Sequence, residues 1–367
     1  MFPKSAFRWR IFTLGCNRAS AAQHSPRTAR QVQHLTTLRV ETGGRPNRVL
    51  GNGITLCARA ADRLVGTCFP IRLESEQRLI MLRCGIRKGE NPMMTVPELA
   101  SEALGTFLSS FMRQRFGSSH MRLTEVVPSL ARLALECIGN SDALYHNVEH
   151  TMLVTLAGHD ILRGKFLLEG MQPIDYAHVI VACLMHDIGY VRGVLKGDGD
   201  GGYVIDATGR KVSLQRGASD AALLPHHVDR SILFVLDRRK AIEPLDAERI
   251  ARAINITRFP PDPAEQQDSE EEGWLVRAAD LVGQLGDPHY LRKSNALFYE
   301  FEECGLNRQL GYTSPADIVE KYPQFFYNSV APRIQAAIRY LNVTSSGRQW
   351  IANLYSNLFR AEQLPQS

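Results

Sequence analysis

The chain has 367 residues, of which 44 % are hydrophobic and 22 % charged, an ordinary globular composition with room for one large or two modest domains. No run of 18 uninterrupted apolar residues occurs, so the sequence offers no membrane-spanning helix. The formal net charge of +5 is unevenly placed: residues 1–92 hold 16 Lys/Arg against five Asp/Glu, a net +11, and residues 93–367 carry −6.

Residues 1–92 read as a basic leader that takes no part in the core. No Asp or Glu precedes Glu41, and an Arg-rich, Ser-containing, acid-poor start is the composition of an organelle transit peptide. The apolar patch from Ile11 to Leu14 is too short for a secretory signal. Two other readings stand beside targeting: a disordered or spurious extension ahead of a true start at Met93 or Met94, and a small module. The leader lacks interleaved aromatics and any module signature, so nucleic acid is not an expected partner. Three of the seven cysteines, Cys137, Cys183 and Cys304, fall in the body with no metal-type spacing. They read as small apolar residues in a reducing compartment, which makes the cytoplasm the expected location.

Order is expected from Met94 onward. Thr95 with Glu98 is a capping-box pattern, and Pro97 suits a first helical turn. Leu99, Leu104, Leu108 and Met112 then mark one helical face, followed by Leu130, Leu133, Ala134 and Cys137 on the next helix. Helices are expected over His146–Glu169, Tyr176–Tyr190, Val228–Arg239, Asp246–Arg258, Glu272–Leu285, Tyr290–Cys304, Ile318–Tyr322, Pro332–Leu341 and Gly347–Glu362. Prolines separate them, including the cluster Pro260-Pro261-Asp262-Pro263. The acidic stretch Glu265–Glu272 reads as a solvated loop. Between Gly193 and Gly217 the helical period fails. Tyr203-Val204-Ile205 and Lys211-Val212-Ser213-Leu214 flank a turn at Asp206 to Gly209, a short β-hairpin. The run Asp198 to Gly202 is similar in outline to a calcium loop but lacks the later ligands, and reads as a plain loop. The expected fold class is therefore all-α with a short β-hairpin insertion.

Three helices carry polar residues that are awkward in a core. His146 and His150 are four apart, on one helical face. His186 and Asp187 end an apolar helix just before Gly189. Asp280 sits in the middle of another apolar helix, where an unpaired carboxylate would cost on the order of several kcal/mol. Two imidazoles and two carboxylates from three helices point to one divalent-cation site, with Asp187 able to bridge a second ion. His226 and His227, opening the helix after the hairpin, are candidates for a second metal or a phosphate contact. Capping and exposure explain that pair equally well.

At these residues the sequence resembles the HD superfamily of metal-dependent phosphohydrolases, over roughly residues 94–305. The ordered set is His150, the His186-Asp187 doublet and Asp280, and the string Tyr145-His146-Asn147 with His150 is similar to the cyclic-nucleotide phosphodiesterase form of the motif. The resemblance implies an HD-type helical bundle with His150, His186, Asp187 and Asp280 as ligands to one or two ions of Mn, Mg, Fe or Zn. It also implies His146 as the general acid, metal-bound water as nucleophile, and a nucleotide-like small-molecule phosphoester as substrate. The chain departs from the phosphodiesterase pattern at Leu153 and Val154, where that motif carries an acid, and the motif places no counterpart of its purine-reading Gln, Gln284 being a glutamine on the Asp280 helix. Val191 replaces the Pro of the cyclic-dinucleotide branch.

Two rival readings follow from the same residues. His146-Asn147-Val148-Glu149-His150 spells the H-x-x-E-H zinc-protease signature, with Glu149 activating water. An HD fold that binds a nucleotide or signals without catalysis is the other. Arg192, Lys196, Arg230 and Arg258 are weaker phosphate candidates, and His159, His178 and His289 read as structural or surface residues.

Overall fold

A computed structural model describes residues 95–117, 120–199, 201–259 and 271–364. The chain divides into Met1–Gly85, which lies outside the described residues, and Ile86–Ser367, which holds the fold. The expected leader and most of the acidic stretch Glu265–Glu272 likewise fall outside the described residues.

Helix α1 (Val96–Phe116) begins at the capping box: the Glu98 carboxylate accepts the Thr95 N–H at 2.7 Å. Leu104, Leu108 and Met112 are buried along its inner face, whereas Leu99 stays exposed. It packs on α2 (Met121–Ile138), which contains Pro128. Proline lacks the N–H that would satisfy the Thr124 carbonyl four residues back. The Ser109 hydroxyl of α1 donates to that carbonyl at 3.3 Å, so the defect in one helix becomes a link to the other.

Helix α4 (Pro173–Met185) is apolar all round and buried along most of its length, the pattern of a central helix. It touches α2, α3 (Val148–Glu169), α6 (Ala247–Asn255) and α7 (Glu271–Leu285). His178 ties α4 to α6: its Nδ1–H donates to the Ile174 carbonyl and its Nε2 accepts the Asp246 N–H, both at 2.8 Å. Helices α3 and α7 run against each other at close range. A Cβ on Gly283 would stand 2.7 Å from the Val154 Cα, so this glycine sets their spacing. Val154, where the phosphodiesterase pattern places an acid, is fully buried in that seam.

The insertion is a two-stranded antiparallel hairpin, β1 (Tyr203–Val204) and β2 (Lys211–Val212), with Tyr203 opposite Val212 and Val204 opposite Lys211. So few ladder bonds do not hold a hairpin by themselves. Arg230 on α5 (His227–Asp237) supplies the anchor. Its fully buried guanidinium donates to the carbonyls of Gly189, Val191 and Val204 and to both Asp198 oxygens. Asp198 also accepts the N–H groups of Leu195 and Val204, so the calcium-like run serves as a counter-charge for an arginine.

After α8 (Tyr290–Glu303) the chain breaks into short pieces, α9 (Leu306–Leu310), α10 (Pro315–Glu320) and α11 (Tyr322–Phe325). The single helix expected over Ile318–Tyr322 is instead divided at Lys321. Helix α9 has no counterpart among the expected helices; it lies between Gly305 and Gly311, both at positive φ, which gives no period to read. A π-turn (Phe326–Val330) leads into α12 (Ala331–Leu341), and α13 (Ser345–Glu362) closes the chain. The fold is all-α with a small β-hairpin. No helix among the described residues is long and apolar enough to cross a membrane.

Candidate metal centre

Helix α4 stops at Met185, five residues short of the Tyr190 end expected, and His186 and Asp187 occupy the turn that follows. The chain must turn there because it meets α5. A Cβ on Gly189 would lie 1.9 Å from the His227 carbonyl oxygen. Ser231 of α5 pins the turn, donating to the His186 carbonyl at 2.6 Å and accepting the Gly189 N–H at 2.9 Å.

Helix α3 starts at Val148, two residues later than expected. Asn147 caps it, its side-chain oxygen accepting the N–H groups of Glu149 and His150 at 2.9 and 3.3 Å. His146 therefore precedes the helix and does not share a helical face with His150. The turn still brings their ring centres to 5.3 Å.

The four expected ligands converge. His150 Nε2 lies 3.2 Å from Asp187 Oδ2 and 3.5 Å from Asp280 Oδ1, and His186 Nε2 lies 3.1 and 3.7 Å from the same two atoms. His186 Nδ1–H donates to the Cys183 carbonyl at 2.8 Å, which turns the Nε2 lone pair toward the carboxylates. Ligating atoms of His150, His186 and Asp280 lie within 4.8 Å of one another, as do those of His146, His150 and Asp187. His150, His186 and Asp187 are buried, and Asp280 on α7 is half-buried.

The electrostatics favour a cation at this point. Burial alone would lower the pKa of His150, yet the Asp187 and Asp280 carboxylates beside it raise it to about 9. His186 is raised by the same two carboxylates against the same burial. Burial would push both carboxyls up, and the imidazoles instead hold Asp187 and Asp280 below the usual carboxylate range. His150 Nε2, His186 Nε2 and Asp187 Oδ2 are all buried with no well-formed hydrogen bond. Two imidazole nitrogens and the Asp187 oxygen, buried and unpaired, together with the adjacent Asp280 carboxylate form a donor set that fits a divalent ion.

Sequence reasoning missed Glu300. It is buried on α8 and accepts the N–H groups of Tyr145 and His146 at 2.6 and 3.2 Å. Its second oxygen meets His146 Nδ1 at 2.5 Å. Burial would raise its pKa, but His146 and the two backbone donors hold it down. The available signal was an acid three residues after Leu297, on the buried face of an amphipathic helix. Tyr190 was missed as well: its ring is stacked between His146 (4.5 Å) and His227 (4.6 Å).

Of the two adjacent histidines only His227 reaches the centre. Its Nε2 is 3.7 Å from Asp187 Oδ1, and its Nδ1–H donates to the Leu224 carbonyl at 2.5 Å. His226 is absent from the cavity wall, and burial together with the nearby Arg210 charge lowers its pKa. Arg192 is bonded to Asp142 and Asp220, Arg230 is spent on the insertion, and Lys196 is exposed. Arg258 lines the cavity and pairs with Asp229 at 2.5 Å. Glu149 is exposed and pairs with Lys293 at 2.7 Å, facing away from the centre the protease reading needs it to serve. His159 and His178 are buried in hydrogen bonds away from the cavity, and His289 precedes α8 at the surface.

The centre opens into a cavity of about 190 Å³ whose walls come from α5, α7, α8 and the short helices after Gly305. A family model described as Npun_R2479-like matches residues 95–364, which cover every element described above. The chain belongs to the Npun_R2479-like family. No curated protein matches the sequence. In this Npun_R2479-like chain the matched span holds all four candidate ligands together with His146, His227 and Glu300.

Proposed function

We propose that the protein is a metal-dependent phosphohydrolase acting on a small-molecule phosphoester. One observation carries the reading: His150, the His186-Asp187 turn and Asp280 meet from three parts of the chain, and His150 Nε2, His186 Nε2 and Asp187 Oδ2 are buried there without a hydrogen-bond partner among the described residues. The resemblance to the HD superfamily supports it, since the same four positions carry that likeness.

The chemistry a divalent ion would supply when held by these residues is neutralisation of phosphoryl charge and acidification of a water molecule. The chain's own residues do the rest. Glu300 holds His146 Nδ1, so Nε2 is the nitrogen left to give a proton to the departing ester oxygen. Glu300 also fixes the Tyr145–His146 backbone, and Tyr190 packs flat on the His146 ring, so the proton donor is held in one orientation. His227, near Asp187 Oδ1, is placed to assist as a second-ion ligand or as a phosphate contact.

Elemental analysis of the purified protein, followed by a screen of nucleoside mono-, di-, tri- and cyclic phosphates and bis(4-nitrophenyl) phosphate with Mn, Mg, Fe and Zn supplied in turn, tests this. Bound metal with turnover on at least one phosphoester is the expected result. Stoichiometric metal with no hydrolysis of any of them overturns the enzymatic reading.

A further inference from the structure

Two consecutive residues of α5 hold the turn that carries His186 and Asp187. Ser231 grips the His186 carbonyl and the Gly189 N–H. Arg230 takes the next two acceptors: its Nε–H donates to the Gly189 carbonyl at 2.6 Å, and a terminal N–H donates to the Val191 carbonyl at 2.8 Å. Between those two carbonyls stands Tyr190, whose ring is stacked on His146 and His227. The same guanidinium donates to the Val204 carbonyl of β1 and to the two Asp198 oxygens at 3.2 and 2.9 Å. A guanidinium has five N–H groups, and these five bonds use them all, two on the turn and three on the insertion. The Arg230 and Asp198 side chains are both fully buried. A buried ion pair is a weak source of stability, because apolar residues of similar volume often serve as well. A fully bonded planar fork supplies something else, a fixed geometry between the groups it joins.

We propose that Arg230 is a positioning residue for the metal centre and that it couples the β-hairpin to the turn bearing two of the ligands. It reaches no ligating atom itself and acts through the Gly189 and Val191 carbonyls, beside Asp187 and Tyr190. Such coupling is reciprocal: a docked hairpin favours the turn that binds the ion, and the bound ion favours the docked hairpin by the same factor. The inference rests on the metal centre of the proposed function, whatever reaction takes place there.

Mn²⁺ alone is the probe, with the full-length protein. Competition with a fluorescent chelator gives its dissociation constant for the wild type, Arg230→Lys and Asp198→Asn, and amide hydrogen exchange is followed over Tyr203–Val212 with and without Mn²⁺. Arg230→Lys keeps the charge facing Asp198 but loses the fork that spans turn and hairpin. Asp198→Asn keeps the side-chain shape and removes the charge facing Arg230. Each variant should bind Mn²⁺ about tenfold more weakly. In the wild type Mn²⁺ should slow exchange in the hairpin about threefold or more, and in the variants that protection should shrink. Leu108→Ala, buried on α1 away from this network, separates positioning from lost stability. It should lower the urea midpoint and leave Mn²⁺ affinity within about twofold of the wild type. Folded variants with wild-type Mn²⁺ affinity, a matching loss of affinity in Leu108→Ala, or wild-type hairpin exchange indifferent to Mn²⁺ each overturn the proposal. Should neither network variant fold, the wild-type exchange decides it. A wild type that binds no Mn²⁺ overturns the metal centre and this coupling with it. Intact coupling with no phosphoester hydrolysed removes the phosphohydrolase reading alone.

Discussion

His146 and His186 line the same centre, and under the proposed function their different surroundings give them different work. His186 is buried with its Nδ1–H on a backbone carbonyl and its Nε2 toward two carboxylates, the arrangement of a ligand. His146 is bonded to Glu300 and stacked on Tyr190, the arrangement of a proton carrier. His146→Ala should therefore keep the metal and lower turnover by about 10²–10⁴-fold, and His186→Ala should lose both metal and turnover. Elemental analysis beside the hydrolysis assay decides it, and equal metal loss in the two variants would refute this division. Glu300→Gln keeps a backbone acceptor but removes the charge facing His146. It should retain metal, reduce turnover by less than His146→Ala, and shift the pH–rate profile; an unaltered profile would remove Glu300 from the mechanism.

At the scale of elements, the centre depends on a close crossing between the turn after α4 and the start of α5. Gly189 permits that crossing, because any side chain there meets the His227 carbonyl. Gly189→Ala forces α5 outward, carrying His227 away from Asp187 and straining the Ser231 bonds to the His186 turn. The expected result is a loss of about 1–3 kcal/mol in denaturant unfolding together with reduced metal content. A variant with unchanged stability and full metal would show that the crossing relaxes freely. The insertion makes a related point. Its two short strands persist because Arg230 of α5 and Asp198 satisfy one another and the neighbouring carbonyls in a buried network, not because of the hairpin's own bonds.

For the molecule as a whole, His159 predicts how stability follows pH. It is buried beside Phe107 and Phe111 and shares a 2.9 Å hydrogen bond with the Tyr176 hydroxyl. Burial, opposed by Asp160, pushes its pKa down to about 4. A base with a lowered native pKa stabilises the fold fully above its unfolded value near 6.5, and that contribution is lost as pH falls through 4. The difference corresponds to about 3 kcal/mol. Urea unfolding of the wild type and of His159→Gln at pH 7.5, 6 and 4.5 checks this. The wild type should lose more stability than the variant on acidification, and parallel curves would exclude His159 as the cause.

The sequence by itself determined the all-α class, the hairpin at Tyr203 and Lys211, and the helix starts at Thr95 and Asp246. These are local signals: hydrophobic period, capping chemistry and turn residues act over a few positions and are legible without the fold. It also picked out His150, His186, Asp187 and Asp280, because charged or titratable groups on apolar helices are costly wherever those helices pack. Only the tertiary structure decided that these four meet at one point, and that His227 joins them while His226 does not. It alone placed Glu300 against His146, 154 residues away in the chain. It ended α4 at Met185 rather than at Tyr190, and it set the turn that follows so close to α5 that only glycine fits at position 189. The part of the cavity wall built from the short helices after Gly305 belongs to the same class: its shape comes from packing between segments, a long-range property that no local pattern encodes.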